Sequence, residues 1–318
     1  MRDEVEYKGD SAAVVLGARR GRGAEGVGAV AAPAPPRRRR KKRFGRLGWN
    51  LLALAIFVVM IFPVYWMFST AFKSTDDINR LTPTWFPTHP TLQHFRDAID
   101  RPYFWSSVVN SMIIVSITVA VSVVLAFLAA IALSKFRFSG REVFIVLLIG
   151  IQMLPQVGLV IPLYVVLAKY GLTKDQGVYL GVVITYMTFA LPFAVWVLRG
   201  FLVNIPKELE EAAMVDGSSR VGAFTRILLP LVAPGLVATS VFVFITSWNE
   251  YIFANVILTD QANQTLTVWL SYFYGTSRAT DWGGLMAAST LTAIPVVIFF
   301  LLVQRKIAFG LTAGAVKA

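Results

Sequence analysis

The chain has 318 residues, of which 56% are hydrophobic and only 15% are charged, and its formal charge at pH 7 is +12. Soluble globular proteins carry about 25% charged residues, so this composition indicates a membrane protein. The sequence contains no cysteine, which excludes disulfides and thiolate metal sites, and no GxxxxGK[ST] phosphate loop, which excludes a P-loop ATPase.

The amino-terminal segment, residues 1–46, holds 13 of the 30 Lys and Arg residues and is rich in Gly, Ala and Pro. It has no apolar periodicity, so we predict a disordered basic tail. Its run RRRRKKR at 37–43 is of a kind that binds nucleic acid. Because the run stands just before an apolar segment, contact with anionic membrane lipid is the better interpretation, and no nucleic-acid partner is predicted.

Six segments are long and apolar enough to cross a hydrocarbon core of about 30 Å as helices. They are Leu51–Phe72, Val108–Leu133, Val143–Leu167, Val178–Leu198, Leu231–Leu258 and Gly284–Val303. We therefore predict an all-α integral membrane domain of six transmembrane helices over residues 47–318. Prolines inside these segments predict kinks, namely Pro63, Pro155, Pro162, Pro192 and Pro295.

The distribution of basic residues predicts the orientation of the spans. If the amino terminus is cytoplasmic, the inner segments carry 23 Lys and Arg residues and the outer segments carry 7. Both termini are therefore predicted to be cytoplasmic. Tyr65, Trp66 and Trp282 then stand near the outer boundary, where aromatic rings favour the level of the lipid headgroups.

The only two histidines, His89 and His94, lie in the connection after the first span. We interpret them as solvated loop side chains, since no acidic cluster accompanies them. No metal site, cofactor or catalytic group is predicted, so the chain is not expected to be an enzyme.

Polar side chains inside two spans are candidates for a translocation pathway. Gln152 and Gln156 stand four residues apart on the third span, and their amides could bind the hydroxyl groups of a ligand or bond to neighbouring helices. Glu250 stands near the outer end of the fifth span, with Trp248 and Asn249 beside it. An acid within a span is a functional hypothesis, although local pairing at the headgroup level also explains it.

The connection at 199–230 is too long for a turn and too polar to cross a membrane. Its sequence predicts two short helices joined at Gly217, a residue that favours the left-handed conformation at a helix end. Ser218 or Ser219 caps the second helix, and Asn204 caps the first. The pattern indicates either a plug for a partner's groove or an amphipathic connector on the bilayer surface.

The spacing within this connection resembles the EAA loop of ABC-importer permeases, in which EAA is followed by three residues, Gly, nine residues and I-x-L-P. The matching positions are Glu211, Ala212, Ala213, Gly217, Ile227, Leu229 and Pro230, and Asp216 and Phe224 fall between them. Further stretches resemble the carbohydrate-uptake permeases of the maltose-transporter MalG type: ALSKFRFSGR at 132–141, LPQVGLVIPLY at 154–164, SWNEY at 247–251 and QRKIAFGLTAGAVKA at 304–318.

This resemblance implies a subunit of a binding-protein-dependent importer in a bacterial cytoplasmic membrane, with a sugar or oligosaccharide as cargo. It implies a second related permease, two copies of an ABC ATPase that dock on the 199–230 coupling loop, and an extracytoplasmic sugar-binding protein. A polyol phosphate such as glycerol phosphate is an alternative cargo. A self-contained secondary transporter and a non-transporting scaffold are alternatives of other classes, and neither requires the EAA spacing.

Overall fold

The computed structural model describes the backbone of residues 43–274 and 280–313, and the side chains of residues 48–274 and 280–304. Every regular element within these residues is a helix. The thirteen α-helices described are α1 Arg43–Ala71, α2 Thr75–Ile78, α3 Gln93–Asp100, α4 Phe104–Lys135, α5 Arg141–Gln152, α6 Gln156–Lys169, α7 Gly177–Val203, α8 Glu208–Val215, α9 Arg220–Ala223, α10 Leu229–Trp248, α11 Ile252–Ile257, α12 Leu266–Leu270 and α13 Trp282–Ala313.

The predicted disordered tail lies outside the described residues, except that residues 43–46 form the first turn of α1. The first helix therefore begins four residues before the predicted domain boundary. By packing, the chain divides into two units, Met1–Leu54 and Ala55–Ala318. In the first unit, the described residues are the helical residues 43–54.

Within the described residues, five helical segments are long and apolar enough to cross a membrane, and a bent pair supplies a sixth crossing if it counts as one span. The five are Gly48–Ala71, Phe104–Lys135, Gly177–Val203, Arg220–Trp248 and Trp282–Gln304. The all-α membrane fold predicted from the sequence is confirmed. Most of the helices extend past the apolar segments that predicted them, because hydropathy marks only the part of a helix that faces hydrocarbon.

The third predicted span, Val143–Leu167, is not one helix. It is broken between α5 and α6, whose axes differ by 105°. Pro155 stands in the break, where it lacks a backbone N–H and disfavours helical geometry at Leu154 before it. The proline was expected to kink the helix, and instead it separates two helices.

The fifth predicted span, Leu231–Leu258, also differs from a single helix. α10 ends at Trp248, and α11 begins at Ile252 after a three-residue break. The side-chain amide of Asn249 donates to the carbonyl oxygen of Ile245 at 2.8 Å, and Glu250 binds the first amides of α11. These side-chain bonds satisfy backbone groups that a continuous helix would otherwise pair, so the break is stable.

Helix α4 is central to the packing, since its residues belong to each of the three buried clusters found among the described residues. Small side chains form its buried stripe: Ser107, Ser111, Thr118, Ser122, Ala126 and Ala130. Ala126 and Ala130 share a buried cluster with Ala190 and Ala194 of α7, and small residues let membrane helices approach closely. The close packing of α4 and α7 makes a rigid frame beside which α5, α6, α10 and α11 are arranged.

The interpretation of His94 as a solvated loop residue is wrong. His94 lies in α3 and is 7% exposed, with its ring against Gly283 at the start of α13. The sequence contains a strongly amphipathic stretch here, and α3 packs its buried face on α13. His89 remains exposed, as expected.

Candidate functional site

A cavity of about 470 Å³ lies where the α5–α6 break, the middle of α7, the end of α10 and the start of α11 meet. Seven polar side chains line it: Gln152, Gln156, Tyr186, Thr246, Ser247, Asn249 and Glu250. Aromatic rings supply most of the remaining wall, namely Phe189, Phe193, Phe242, Tyr251 and Phe253. A few convergent polar groups among aromatic walls are typical of a small-molecule site.

The Glu250 carboxylate is held by the amino-terminal end of α11. Its two oxygens accept hydrogen bonds from the backbone N–H groups of Phe253 at 2.9 Å and Ala254 at 3.0 Å. Orphan amides and the positive end of the helix dipole stabilise an anion in this position. The hydrogen bonds of Glu250 are therefore local, as one of the two interpretations expected. The same carboxylate also borders the cavity, as the other interpretation requires.

Two buried hydroxyl groups on the cavity wall have no hydrogen-bond partner within the described part of the chain. They belong to Tyr186, which is 3% exposed, and Ser247, which is 4% exposed. The Tyr186 hydroxyl lies beside the Glu250 carboxylate, but without hydrogen-bond geometry. A buried hydroxyl without a partner is energetically costly, so a hydrogen bond to a polar ligand in the cavity would stabilise each of these groups.

Gln152 and Gln156 both reach the cavity, although they do not share a helix face. Gln152 is the last residue of α5 and Gln156 is the first of α6, so the break at Pro155 directs them from two helices toward one space. The Gln152 amide also donates to the carbonyl oxygen of Phe189 in α7 at 3.2 Å. Gln152 thus forms the interhelical hydrogen bond that was one of the two roles expected for these amides, the other being ligand binding.

Trp248 does not line the cavity. Its ring is buried beside Phe244, with ring centroids 5.6 Å apart, and its indole N–H donates to the carbonyl oxygen of Thr292 in α13 at 3.3 Å. The expectation that Trp248 belongs to the pathway is therefore replaced by a packing role between α10 and α13. Its neighbour Asn249, one residue further on, does face the cavity.

The predicted coupling loop contains two short helices joined at a tight turn. Gly217 has a φ of +89°, which confirms the left-handed conformation expected there. The Ser219 side chain caps α9 by accepting from the N–H of Gly222 at 3.1 Å. Asn204 does not cap α8; it ends α7, where its amide bonds to the carbonyl oxygen of Gly200 at 2.8 Å.

The residues of the EAA pattern divide into an exposed set and a packed set. Glu211, Ala212, Asp216, Gly217 and Pro230 are exposed, and Ala213, Phe224, Ile227 and Leu229 are half-buried. The ring of Phe224 packs on Phe127 of α4, with centroids 5.8 Å apart. Leu228, at the variable position of the pattern, is the most buried of these residues at 1% exposure.

An unbroken helical run joins the loop to the cavity. It passes from α9 through a π-helical turn at Phe224–Leu228 into α10, and the whole run is Arg220–Trp248. At 1.5 Å per residue, these 29 residues span about 43 Å. π-Helical turns insert an extra residue into a helix and frequently occur at functional sites.

An ion pair between Lys135 and Glu210 ties the loop to the end of α4. Sequence reasoning did not connect these two residues, although Lys135 lies in a basic connection and Glu210 in an acidic helix start. Tyr186 and Ser247 were not among the residues predicted for the pathway. Hydroxyl groups in spans carry little signal, because most of them bond to the preceding helical turn.

Comparisons with known proteins agree with the fold. The profile of a family described as the inner membrane component of binding-protein-dependent transport systems matches residues 122–312. The chain is 46% identical to the diacetylchitobiose uptake system permease protein DasC of Streptomyces coelicolor, over 86% of this chain and 98% of the relative. It is 36% identical to the trehalose/maltose transport system permease protein MalG of Thermococcus litoralis, over 83% and 94% of the two chains.

Among solved structures, the chain resembles a bacterial ABC transporter involved in the import of the acidic polysaccharide alginate. The TM-score is 0.69 at 22% identity, and the match covers 86% of this chain and 99% of the other. This likeness supports the fold. The chain belongs to the inner membrane components of binding-protein-dependent transport systems, which confirms the resemblance to MalG-type permeases, and it is a multi-pass permease subunit rather than an enzyme.

Proposed function

We propose that this chain is one of two related membrane-spanning subunits of an ATP-driven importer whose cargo is a di- or oligosaccharide. The observation that carries the proposal is the unbroken helix Arg220–Trp248, which begins at the exposed loop and ends beside the cavity. A stiff helix of this length transmits a displacement from one end to the other. The loop is then the part that the ATPase moves, and the cavity is the part that responds.

The coupling loop presents a shallow surface to its partner. Ala212 is exposed and Ala213 is half-exposed, so a docking subunit approaches the α8 backbone closely. Phe224 and the buried Leu228 anchor the other side of the loop on the bundle. A displacement of α8 is therefore delivered to α10 through the π-helical turn between them.

The cavity chemistry favours a neutral sugar over a polyol phosphate. Its described lining includes a carboxylate, two amide side chains on the α5–α6 break and free hydroxyls, but no Lys, Arg or His to neutralise a phosphate. Hydroxyl and amide groups bond to sugar hydroxyls, and the rings of Phe189 and Phe193 offer faces for the sugar ring. The names of similar permeases, which refer to diacetylchitobiose, trehalose and maltose, agree with this choice.

The excess of basic residues in one set of connections supports cytoplasmic termini and a cytoplasmic coupling loop. In that orientation, two ABC ATPase subunits meet the loop, and an extracytoplasmic sugar-binding protein delivers cargo to the opposite side. ATP binding closes the ATPases and opens the spans outward, and hydrolysis resets them. The second permease completes a heterodimer around the pathway.

A pull-down from native membranes in mild detergent tests the coupling role. Wild type is expected to recover an ATPase, a second permease and a binding protein, whereas Ala212→Arg loses the ATPase and keeps the second permease. Ala168→Arg, at an exposed alanine in α6 outside the loop, is the matched control and should keep all partners. An ATPase that remains bound to Ala212→Arg would contradict the proposed docking.

A further inference from the structure

A second pocket, separate from the cavity, lies at the end of α1. Its volume is about 270 Å³, and its wall includes Trp66, Thr70, Lys73, Arg80, Thr84 and Trp282. These residues come from the last turns of α1, the segment that follows it, and the first turn of α13. None of them belongs to the cavity or to the coupling loop.

Lys73 is buried in this pocket without an ion-pair partner in the described residues. It is 2% exposed, and its ammonium lies 4.0 Å from the centre of the Trp66 ring. Burial lowers the pKa of Lys73, and the negative charge of Asp77 offsets this effect only in part. A buried ammonium of this kind is stabilised when an anion enters beside it.

Asp77 lines the same pocket, and its carboxylate has one hydrogen bond and one ion pair, while its Oδ1 atom has no hydrogen-bond partner within the described residues. Its Oδ2 accepts a hydrogen bond from the Thr88 hydroxyl at 2.6 Å, and its Oδ1 lies 3.1 Å from the guanidinium of Arg80. Lys73, Arg80 and Asp77 together leave one net positive charge. The pocket therefore attracts an anion even with Asp77 ionised.

Two buried hydroxyl oxygens on the pocket wall complete the chemistry. Thr70 is 6% exposed, and the Oγ1 atoms of Thr70 and Thr84 have no hydrogen-bond partner within the described residues. Both are donors that an oxyanion can use. An ammonium and two free hydroxyls around one space match the oxygens of a phosphate group.

The pocket lies at the level of an aromatic belt. Trp66 packs on Trp85 with ring centroids 6.0 Å apart, and Tyr65 packs on Phe86 at 6.0 Å. Trp85 and Trp282 remain substantially exposed, at 62% and 49%. Such rings concentrate at the headgroup level of a bilayer, which is where lipid phosphates are found.

We propose that this pocket binds the phosphate group of an acidic phospholipid, with Lys73 as the charge partner and Thr70 and Thr84 as hydrogen-bond donors. The bound headgroup holds the end of α1 against the first turn of α13. The site is a lipid site at the rim of the bundle, and it is independent of the cargo that the importer carries.

Native mass spectrometry of the delipidated full chain tests the site. Dioleoylphosphatidylglycerol and dioleoylphosphatidylcholine are added separately to wild type, Lys73→Met and Lys174→Met, the last a control at an exposed lysine in another connection. Wild type and Lys174→Met should retain the acidic lipid about fivefold better than the zwitterionic one. Lys73→Met should lose that preference, and Lys73→Arg should keep it.

Two further measurements identify the ligand and guard against misfolding. Inorganic phosphate at matched ionic strength should not displace the acidic lipid, and displacement at equal concentration would overturn the lipid assignment in favour of a free anion. The acidic lipid should raise the thermal midpoint of wild type but not of Lys73→Met, whose lipid-free midpoint equals or exceeds that of wild type because an unpaired buried charge is removed. Equal retention of both lipids by wild type would overturn the proposal.

Discussion

The ammonium of Lys135, in the last turn of α4, forms an ion pair with the carboxylate of Glu210 in the first turn of α8, 75 residues further along the chain. Their side chains are 13% and 25% exposed, so the pair is partly shielded from water. The positions also match the dipoles of the two helices, with a cation at a carboxyl end and an acid at an amino end. The pair thus links the coupling loop to the helix at the centre of the bundle.

Reversing either charge of this pair should weaken transport, and reversing both charges together should restore part of it. Lys135→Glu and Glu210→Lys each place like charges together, so uptake should fall in both variants. The double exchange should recover part of the loss, since the ion pair returns but both charges then oppose the helix dipoles, with a coupling energy of about 1 kcal/mol in a double-mutant cycle of thermal stability. Glu208→Lys, at an exposed position of the same helix turn, is the control. Strictly additive single effects would mean that the pair does not position the loop.

Glu250→Gln should lower both stability and uptake while leaving subunit assembly intact. A glutamine amide offers one acceptor oxygen where the carboxylate offers two, so one of the Phe253 and Ala254 amides loses its bond. Loss of a charged cap costs about 1 kcal/mol, which a thermal melt in detergent detects. Glu142→Gln at an exposed helix start serves for comparison. Normal uptake by Glu250→Gln would remove this carboxylate from the transport mechanism.

Tyr186→Phe separates ligand binding from stability. The variant removes a hydroxyl that has no partner among the described residues and keeps the buried ring in its hydrophobic cluster. The thermal midpoint should therefore stay the same or rise, while the sugar concentration for half-maximal uptake rises about three- to tenfold, as expected for one lost hydrogen bond. Tyr179→Phe is the comparison variant. The Tyr179 hydroxyl donates a hydrogen bond to Asn110 at 3.0 Å, so its loss should lower stability. Unchanged uptake kinetics in Tyr186→Phe would show that the hydroxyl does not meet the cargo.

Gly235→Ala should destabilise the contact between α7 and α10. A Cβ atom at Gly235 would lie 2.7 Å from Cγ of Phe201, closer than real side chains approach. The required shift should cost about 1–3 kcal/mol of unfolding free energy. Gly200→Ala, at a helical glycine with nothing within 4 Å of the added carbon, should be neutral or slightly stabilising. Equal thermal midpoints for the two variants would contradict the close packing at Gly235.

The Asp77–Thr88 bond predicts a pH dependence of stability on the acid side. The hydrogen bond from Thr88 is the main cause that lowers the pKa of Asp77 in the folded chain, and the charge of Arg80 adds to it. Between this lowered pKa and the unfolded value of about 4, the unfolded chain binds more protons, so stability rises with pH through that window and is lost as pH falls.

Thr88→Val should shrink this dependence, because the folded pKa of Asp77 moves back toward its ordinary value. Thermal melts from neutral pH down to acid pH should show a shallower loss in Thr88→Val than in wild type. Thr82→Val, at another exposed threonine of the same connection, should match wild type. A steeper acid loss in Thr88→Val would contradict the assignment.

The approximate places of the spans were predictable because a helix needs about 20 mostly apolar residues to cross the hydrocarbon core. The turn at Gly217 and the cap at Ser219 were predictable because each depends only on residues next to it in the chain. The start of α8 was not, because Asn204 has a competing acceptor in the preceding helix at Gly200. The local sequence predicts a helix end only when the capping side chain has a single backbone partner within reach.

The sequence by itself determined the membrane class, the helical content, the two short helices of the 199–230 connection and the family resemblance, because hydropathy, spacing and turn chemistry act over a few residues at a time. Only the tertiary structure decided that Pro155 separates two helices, that Gln152 and Gln156 converge from both sides of it, and that Trp248 faces α13 rather than the cavity. It also decided which buried hydroxyls, and which buried lysine, lack a partner within the described part of the chain. These features depend on which helices pack together, and the free energy of that packing is summed over residues far apart in the chain.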